Sequence, residues 1–592
     1  MPPGLNAILH RHGTDRTALL DILWDVQRNY GYIPAAAAPM IGDRLGLAPG
    51  DVMETATFYH FFHTTASGQY RIYLAETVIA KIRGYQQVYE ALERETGARF
   101  GGQASERFGL FETACIGVSD HEPAMLIDGV LFTDLTPDSV LDIVTRLKMG
   151  QSPEEIANPS ARPKSDLGYI EGLINSTVHT AGPVFFCGAD DPAALLRRCL
   201  ALPPEQVIDT ITAARLRGLG GGGFPTGRKW QLCRAAPGDQ KYIICNADEG
   251  EPGTFKDRVL LTRSSRRVFA GMIIAAHAIG ATHGILYLRA EYAYLSDYLE
   301  QQLTDLRDDQ LLGAGFDIRI QLGAGAYICG DESALIESCE GKRGTPRLKP
   351  PFPVERGFLG RPTCVNNVET FAAATRVMEL GAERFATLGT PESAGTRLLS
   401  VAGDCTAGIY EVEWGITLGE VLQRIGAEDA RAVQISGPSG QMVSADADAH
   451  RRLGFEDLSC NGSFVVFDAR RDLLGVVRDF MQFFVDESCG ICVPCRVGNI
   501  ELRQKVDLVI AGRADQKVLE DMVSWGGVIA KTSRCGLGAT SPNPVLTTLA
   551  SFPEVFADRL HHHEGSLRPS FDIDAALGGY NDAMQQLARR ES

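Results

Sequence analysis

The feature that most constrains this chain is the segment ESCGICVPCRVG, which places thiols at Cys489, Cys492 and Cys495. A turn of that spacing can aim three thiolates at one face of an inorganic cluster, and Cys535 in TSRCGLG is the candidate fourth ligand from a separate segment. Gly490 and Gly498 relieve crowding around such a turn. A zinc site more often draws on two separated Cys-x2-Cys pairs, whereas a Cys-x2-Cys-x2-Cys run with one distant thiol fits a 4Fe–4S cluster. The remaining ten of the 14 cysteines are scattered singly, and in a reducing compartment they are expected as free thiols.

Composition narrows the partners. A formal net charge of −17 argues against nucleic acid, whose phosphates demand basic surface. No run of eighteen apolar residues occurs, so no membrane-spanning helix is expected. The opening MPPGLNAILHRHGTDR lacks the apolar region of a secretory signal, so a cytoplasmic location is expected.

Along the chain, LLDILWDVQRNYGYIP has apolar residues at helical spacing and stops at Gly31 and Pro34. YRIYLAETV then reads as a strand, YQQVYEALERETG as a helix, RFGLFETACIG as a strand and AMLIDGVLF as a hairpin, which closes a first unit at 1–148. Residues 149–180, rich in Ser, Pro, Asn and Gly, read as a linker. Over 181–390, strands such as KYIICN, HGILYLRA and FDIRIQLGA alternate with helical runs, the pattern of an α/β domain with parallel strands. Short strands and turns over 391–468 suggest a small β-grasp-like module, and 469–592 reads as helical. The adjacent His561, His562 and His563 face different directions on any helix, so they read as a solvated turn. The expected class is thus α/β multidomain.

Five further segments carry chemistry. RGLGGGGFPTGRKW brings Gly218, Gly220 and three more glycines, then Phe224 and Lys229; its backbone amides can approach a ligand closely. The run before it, EQVIDTITAARLR, is helical, so this is not the usual dinucleotide fingerprint, which follows a strand. CNADEGEPGTFKDR sets Asn246, Asp248, Glu249 and Glu251 just beyond a strand, where α/β domains bind ligands. GAGAYICGDESALIESCEG runs through Gly330 into Asp331 and Glu332 at a helix start; TPRLKPPFP holds Lys349 and Phe352 in a stiff loop; CVNNVET supplies Asn366 and Asn367. Each alone is ambiguous: Phe352 fits simple packing, and the asparagines fit helix caps.

Together these segments, in order over about 200–560, resemble the NADH-binding flavoprotein subunit of respiratory complex I and its soluble relatives. The resemblance implies FMN in the α/β domain, NAD(H) stacked over its ring, and a 4Fe–4S cluster in a C-terminal helical bundle. It places Gly218, Gly220, Lys229, Asn246, Asp248, Glu249, Gly330, Asn366 and Asn367 in the FMN pocket. Phe224, Glu251, Glu332, Lys349 and Phe352 fall at the nicotinamide nucleotide, with Asp331 at the same cofactor site. Glu249 and Glu251 are candidates for tuning the cofactors by negative charge, and Glu332 for excluding a 2′-phosphate. The chain departs from the family at Leu219, where Arg is usual, at Gly222 for Ala and at Asp331 for Glu.

The N-terminal unit, through NYGYIP and ETATFYHFF, resembles the thioredoxin-like 2Fe–2S subunit that partners the flavoprotein. Its four ligand positions fall on Ala75, Ala80, Cys115 and Ser119, so no 2Fe–2S cluster is expected. A small domain stripped of ligands and fused to a flavoprotein looks like the diaphorase subunits of soluble NAD-reducing hydrogenases. That resemblance implies an iron–sulfur partner subunit and nickel–iron hydrogenase subunits in a hetero-oligomer. The corresponding subunit of an NAD-dependent formate dehydrogenase or of complex I, and a non-catalytic iron–sulfur interaction protein, are the alternatives.

Overall fold

In the computed structural model, which describes residues 4–187, 192–313 and 315–561, three sheets organise the chain. The first joins β1 (Tyr70–Ala75), β2 (Phe108–Thr113), β3 (Met125–Ile127) and β4 (Val130–Phe132) in the order β2-β1-β3-β4. Helices Tyr85–Thr96 and Pro137–Lys148 pack on it around a core of its own, and β3 and β4 form the expected hairpin.

The expected linker is not structureless. Helices Pro153–Ala157 and Leu167–Leu173 interrupt it, and β5 (Val178–Thr180) ends it. The first helix starts at a capping box in which Ser152 and Glu155 exchange backbone contacts, a signal readable from the sequence. Strand β5 joins a six-stranded sheet made otherwise by β10 (Thr396–Gly403), β11 (Gly408–Glu413), β12 (Ala432–Ile435), β13 (Gln441–Ser444) and β14 (Ser463–Phe467), in the order β13-β12-β14-β10-β11-β5. The small β-module thus extends back into residues expected to link domains.

Between these lies the sheet that positions the site. Strands β6 (Tyr242–Ala247), β7 (His283–Leu288), β8 (Asp317–Leu322) and β9 (Thr363–Asn367) are all parallel, in the order β8-β7-β6-β9. Both faces of a parallel sheet are covered, so its strands are nearly continuous apolar runs. Ile243, Cys245, Leu286 and Cys364 face helices Ser265–Ile279 and Val368–Leu380 in one core. Ile244, Ile285, Tyr287 and Val365 face helices of the first sixty residues. The N-terminal helices therefore serve the central sheet: Trp24 Nε1 donates to Gly323 O at 3.0 Å, and the Phe61 amide donates to Ala324 O at 3.1 Å.

The C-terminal bundle comprises Leu473–Asp486, Val493–Ile510, Gln516–Thr532 and Asn543–Ser551 around Val477, Leu502, Met522 and Val545. All 14 cysteines are free thiols. His561 is exposed; His562 and His563 lie outside the described residues. Among the described residues no helix is long and apolar enough to cross a membrane.

Candidate cofactor site and thiol cluster

The strand order reverses between β6 and β9, and the open end of such a switch point is where α/β sheets bind ligands. The residues leaving those two strands are Asn246, Asp248, Asn366 and Asn367, so four predicted positions meet there by topology. Asn367 Nδ2 donates to Asp257 Oδ2 at 2.6 Å and to Asn246 O at 3.4 Å; Asn246 Nδ2 donates to Gly330 O at 2.9 Å. The glycine loop closes over this corner: the Gly218 amide donates to Phe224 O at 2.9 Å, and a Cβ on Gly220 would stand 3.0 Å from Asn367 Cβ. Side-chain-free backbone at Gly220, Gly221 and Gly222 is exposed, as a phosphate or flavin cradle requires.

Opposite the loop, Lys229 Nζ lies 3.2 Å from Glu332 Oε2 and donates to Val365 O at 3.0 Å. Lys349 Nζ lies 3.6 Å from Glu332 Oε1 and 3.4 Å from Asp331 Oδ2. Glu332 is thus held between two lysines. Phe224 and Phe352 are 47% and 50% exposed, large apolar rings left open to a stacking ligand.

Five predicted residues have other duties. Glu249 is buried, and its oxygens accept from the Asp257 amide at 2.9 Å, the Arg258 amide at 3.2 Å and Tyr292 Oη at 2.9 Å. Its carboxylate caps helix Lys256–Arg263, satisfying the free amides at that N-terminus. Glu251 also has both oxygens engaged, by the Ser439 amide and hydroxyl at 2.9 and 2.7 Å and by Tyr327 Oη at 2.8 Å. Burial raises its pKa to about 7, so near neutrality it is a weaker fixed charge than the sequence suggests. Asp331 Oδ1 caps helix Glu332–Cys339 through the Ser333 amide at 2.8 Å. Asn366 Oδ1 accepts from Trp230 Nε1 at 3.0 Å inside the core, and Asn367 combines its place at the site with capping Val368–Leu380.

One orphaned group fits the corner to a polar ligand. Asp248 Oδ2 is buried without a hydrogen-bond partner, and burial pushes its carboxyl well above the usual range. Arg397, 1% exposed, has free Nε and Nη2 donors while its Nη1 donates to Leu219 O at 2.6 Å. Native interiors rarely leave a carboxylate oxygen unpaired, and a hydroxyl-bearing ligand offers Asp248 a donor. Leu219 itself is buried in the core. A guanidinium from strand β10 thus reaches the loop at the position where an Arg is missing from the sequence.

The four thiols converge on one cavity. Cys489 and Cys492 lie in the turn before Val493–Ile510, Cys495 in its first turn, and Cys535 at the start of Gly536–Thr540; all four line one cavity with Ile328 and Ile491. Gly490 makes the turn at φ +76°, whereas Gly498 admits Ile529 from the next helix. Burial, then the neighbouring thiols, raise the Cys495 pKa to about 11, which shows the cost of thiolates there without a metal. Among the described residues no three Cys, His, Asp or Glu side chains close up as ligands of a single ion. Four thiols lining one cavity supply the donor set that a 4Fe–4S cluster takes.

Sequence reasoning missed the connection between the two sites. The short helix Tyr327–Gly330 has Ile328 on the thiol cavity and Gly330 against Asp248, within 3.6 Å of its carbonyl for an added Cβ. Tyr327 reaches both ways, its hydroxyl to Glu251 and its amide to Glu487 Oε2 at 3.0 Å, two residues before Cys489.

Residues 211–376 match the family described as the Nuo51 FMN-binding domain, 5–148 the thioredoxin-like [2Fe-2S] ferredoxin family, and 475–559 the iron–sulfur binding region of NADH-ubiquinone oxidoreductase F. The chain is 64% identical to the NAD-reducing hydrogenase HoxS subunit alpha of Cupriavidus necator over 597 residues, covering 99% of each. It is 40% identical to the NADP-reducing hydrogenase subunit HndC of Solidesulfovibrio fructosivorans, over 62% of this chain and 80% of that one. A solved chain of NAD+-reducing [NiFe]-hydrogenase in the H2-reduced state superposes with a TM-score of 0.86 at 37% identity, covering 97% of both chains.

Proposed function

This chain belongs to the family of NAD-reducing hydrogenase α subunits, and from that premise we propose that it is the diaphorase module of such an enzyme. It binds FMN and NAD(H) at the β6/β9 switch point, holds one 4Fe–4S cluster on Cys489, Cys492, Cys495 and Cys535, and exchanges electrons with an iron–sulfur partner subunit. Nickel–iron subunits complete the assembly, in the cytoplasm. When bound, FMN and the cluster supply the two-electron and one-electron chemistry that joins a nicotinamide to an iron–sulfur chain.

The residues have divided work. Gly218 and Gly220 leave backbone room for the flavin; Asp248 and Asn246 offer polar contacts to its hydroxyls; Phe224 and Phe352 offer faces to the nucleotide, with Lys229, Glu332 and Lys349 beside its riboses. The observation that carries this reading is the four-residue helix Tyr327–Gly330, which has the polar corner on one side and the thiol cavity on the other. Anaerobic purification of the full chain tests it. We expect bound FMN, about four irons per chain and NADH-driven dye reduction. Cys535→Ser removes the cluster's EPR signal and keeps the flavin. A colourless preparation unable to take up FMN, or about six irons, refutes this reading.

A further inference from the structure

The turn after β2 is where the related small subunit carries thiols. Here the Cys115 thiol is buried, 3.6 Å from Ser119 Oγ, and it accepts the Gly117 amide at 3.4 Å, so its contacts stay within its own turn. The backbone of the turn, by contrast, faces the flavin-site domain. Arg289 Nη2 donates to Cys115 O at 2.7 Å, and Arg258 Nε donates to Gly117 O at 3.0 Å. Arg258 Nη2 reaches Asp120 Oδ1 at 3.4 Å and Ser176 Oγ at 2.7 Å. Both arginines are almost wholly buried, where a guanidinium is tolerated only with such acceptors.

These contacts converge on one residue. Arg289 Nη1 donates to Glu249 O, the Arg258 amide donates to the Glu249 carboxylate, and Tyr292 Oη donates to the same carboxylate. Gly117, at φ +75°, presses so closely on Tyr292 that a Cβ there would stand 2.0 Å from its hydroxyl. Glu249 directly follows Asp248, the carboxylate left unpaired at the polar corner.

We propose that the turn 114–120 is a positioning element for the flavin: through Arg258, Arg289 and Tyr292 it fixes the Glu249 peptide and so sets the reach of Asp248. This rests on the reading that FMN occupies the corner. The thioredoxin-like unit then has a part in flavin binding that requires no iron, because one wall of the flavin site is built against it.

FMN titration of the full-length apoprotein, followed by fluorescence quenching, tests this with four proteins. Tyr292→Phe removes one hydrogen bond without changing shape and raises the FMN Kd about tenfold. Gly117→Ala, which drives a methyl into Tyr292, raises it further. Cys115→Ala leaves Kd within about twofold of the wild type, since the thiol bonds only inside its turn. In reloaded protein the first two variants also shift the flavin midpoint potential, while the cluster's EPR signal is unchanged. If the wild type binds FMN and both Tyr292→Phe and Gly117→Ala bind it equally well, the proposal is overturned. Loss of flavin and cluster together in those variants overturns it too, since the turn is then a general support. Failure of the wild type to bind FMN removes the proposed function and this inference with it.

Discussion

Replacing Glu369 with Gln tests the charge balance beneath the polar corner. Glu369 is fully enclosed; its Oε2 lies 3.1 Å from Lys256 Nζ and 2.9 Å from Arg397 Nη1, and its Oε1 accepts the Leu398 amide at 3.0 Å. Asp257 Oδ1 lies 2.6 Å from the same Lys256, so two cations and two anions cancel in the interior. Burial works against the Lys256 charge, but Asp257 and Glu369 outweigh it and raise its pKa. The quartet supports the site: Arg397 holds Leu219 O in the glycine loop, and Asp257 holds Asn367. Glu369→Gln keeps the shape and the Leu398 contact but leaves one uncompensated buried charge, at a cost of about 3–5 kcal/mol. For a cooperative unit of about 150–250 residues each kcal/mol moves the midpoint by about 2–4 °C, so the apoprotein transition should fall by about 6–20 °C. Excess FMN, which binds only the folded chain, should narrow the deficit. Calorimetry of the apoprotein with and without FMN measures both. A midpoint within about 2 °C of the wild type refutes the reasoning, because it means the extra charge is solvated.

Three other outcomes follow from single side chains. Burial raises the Glu122 pKa from 4.5 to about 7, so the folded state holds a proton that the unfolded chain has lost. The corresponding stability is complete below pH 4.5 and declines by about 3 kcal/mol as pH rises through 7. Glu122→Gln should flatten that slope in denaturant titrations at pH 5 and 8, and an unchanged slope counts against it. Glu332→Gln removes the anion between Lys229 and Lys349, so kcat/KM for NADPH should rise at least about tenfold with little change for NADH; unchanged discrimination assigns NAD preference elsewhere. Tyr327→Phe removes a hydrogen bond that lowers the Glu251 pKa, so any ionisation near pH 7 in the NADH oxidation profile should move to higher pH. A fixed profile disconnects Glu251 from turnover.

What the sequence reveals follows from how local each signal is. The thiol run and the glycine loop are read in place, because ligand spacing and backbone freedom are properties of a few consecutive residues. The helix at 153–157 is equally local, with Ser152 and Glu155 in a capping box, but it sits in a stretch whose Ser, Pro and Asn content reads as a linker. Strand β5 is different: three residues carry no period, and only pairing with β11 makes them a strand. The same limit applies at the site. Glu249 and Glu251, two residues apart after one strand, look equivalent in sequence; one caps a helix eight residues on, and the other meets Ser439, 188 residues away. Leu219 and Arg397 are 178 residues apart, so the sequence shows a missing arginine but not the guanidinium that reaches the loop from another sheet.

The separation of the polar corner and the thiol cavity by one short helix is likewise a product of packing. It explains why Glu251 and Glu487, remote in sequence, both end on Tyr327. A chain that must pass electrons between two centres while excluding water needs the wall between them thin and fixed at both edges. Here Ile328 supplies the apolar face toward the thiols, Gly330 O accepts from Asn246 Nδ2 on the other side, and the two carboxylates hold the ends of Tyr327. Mutating either carboxylate should therefore affect both centres. Mutating the exposed Phe224 or Phe352 should affect nucleotide binding alone.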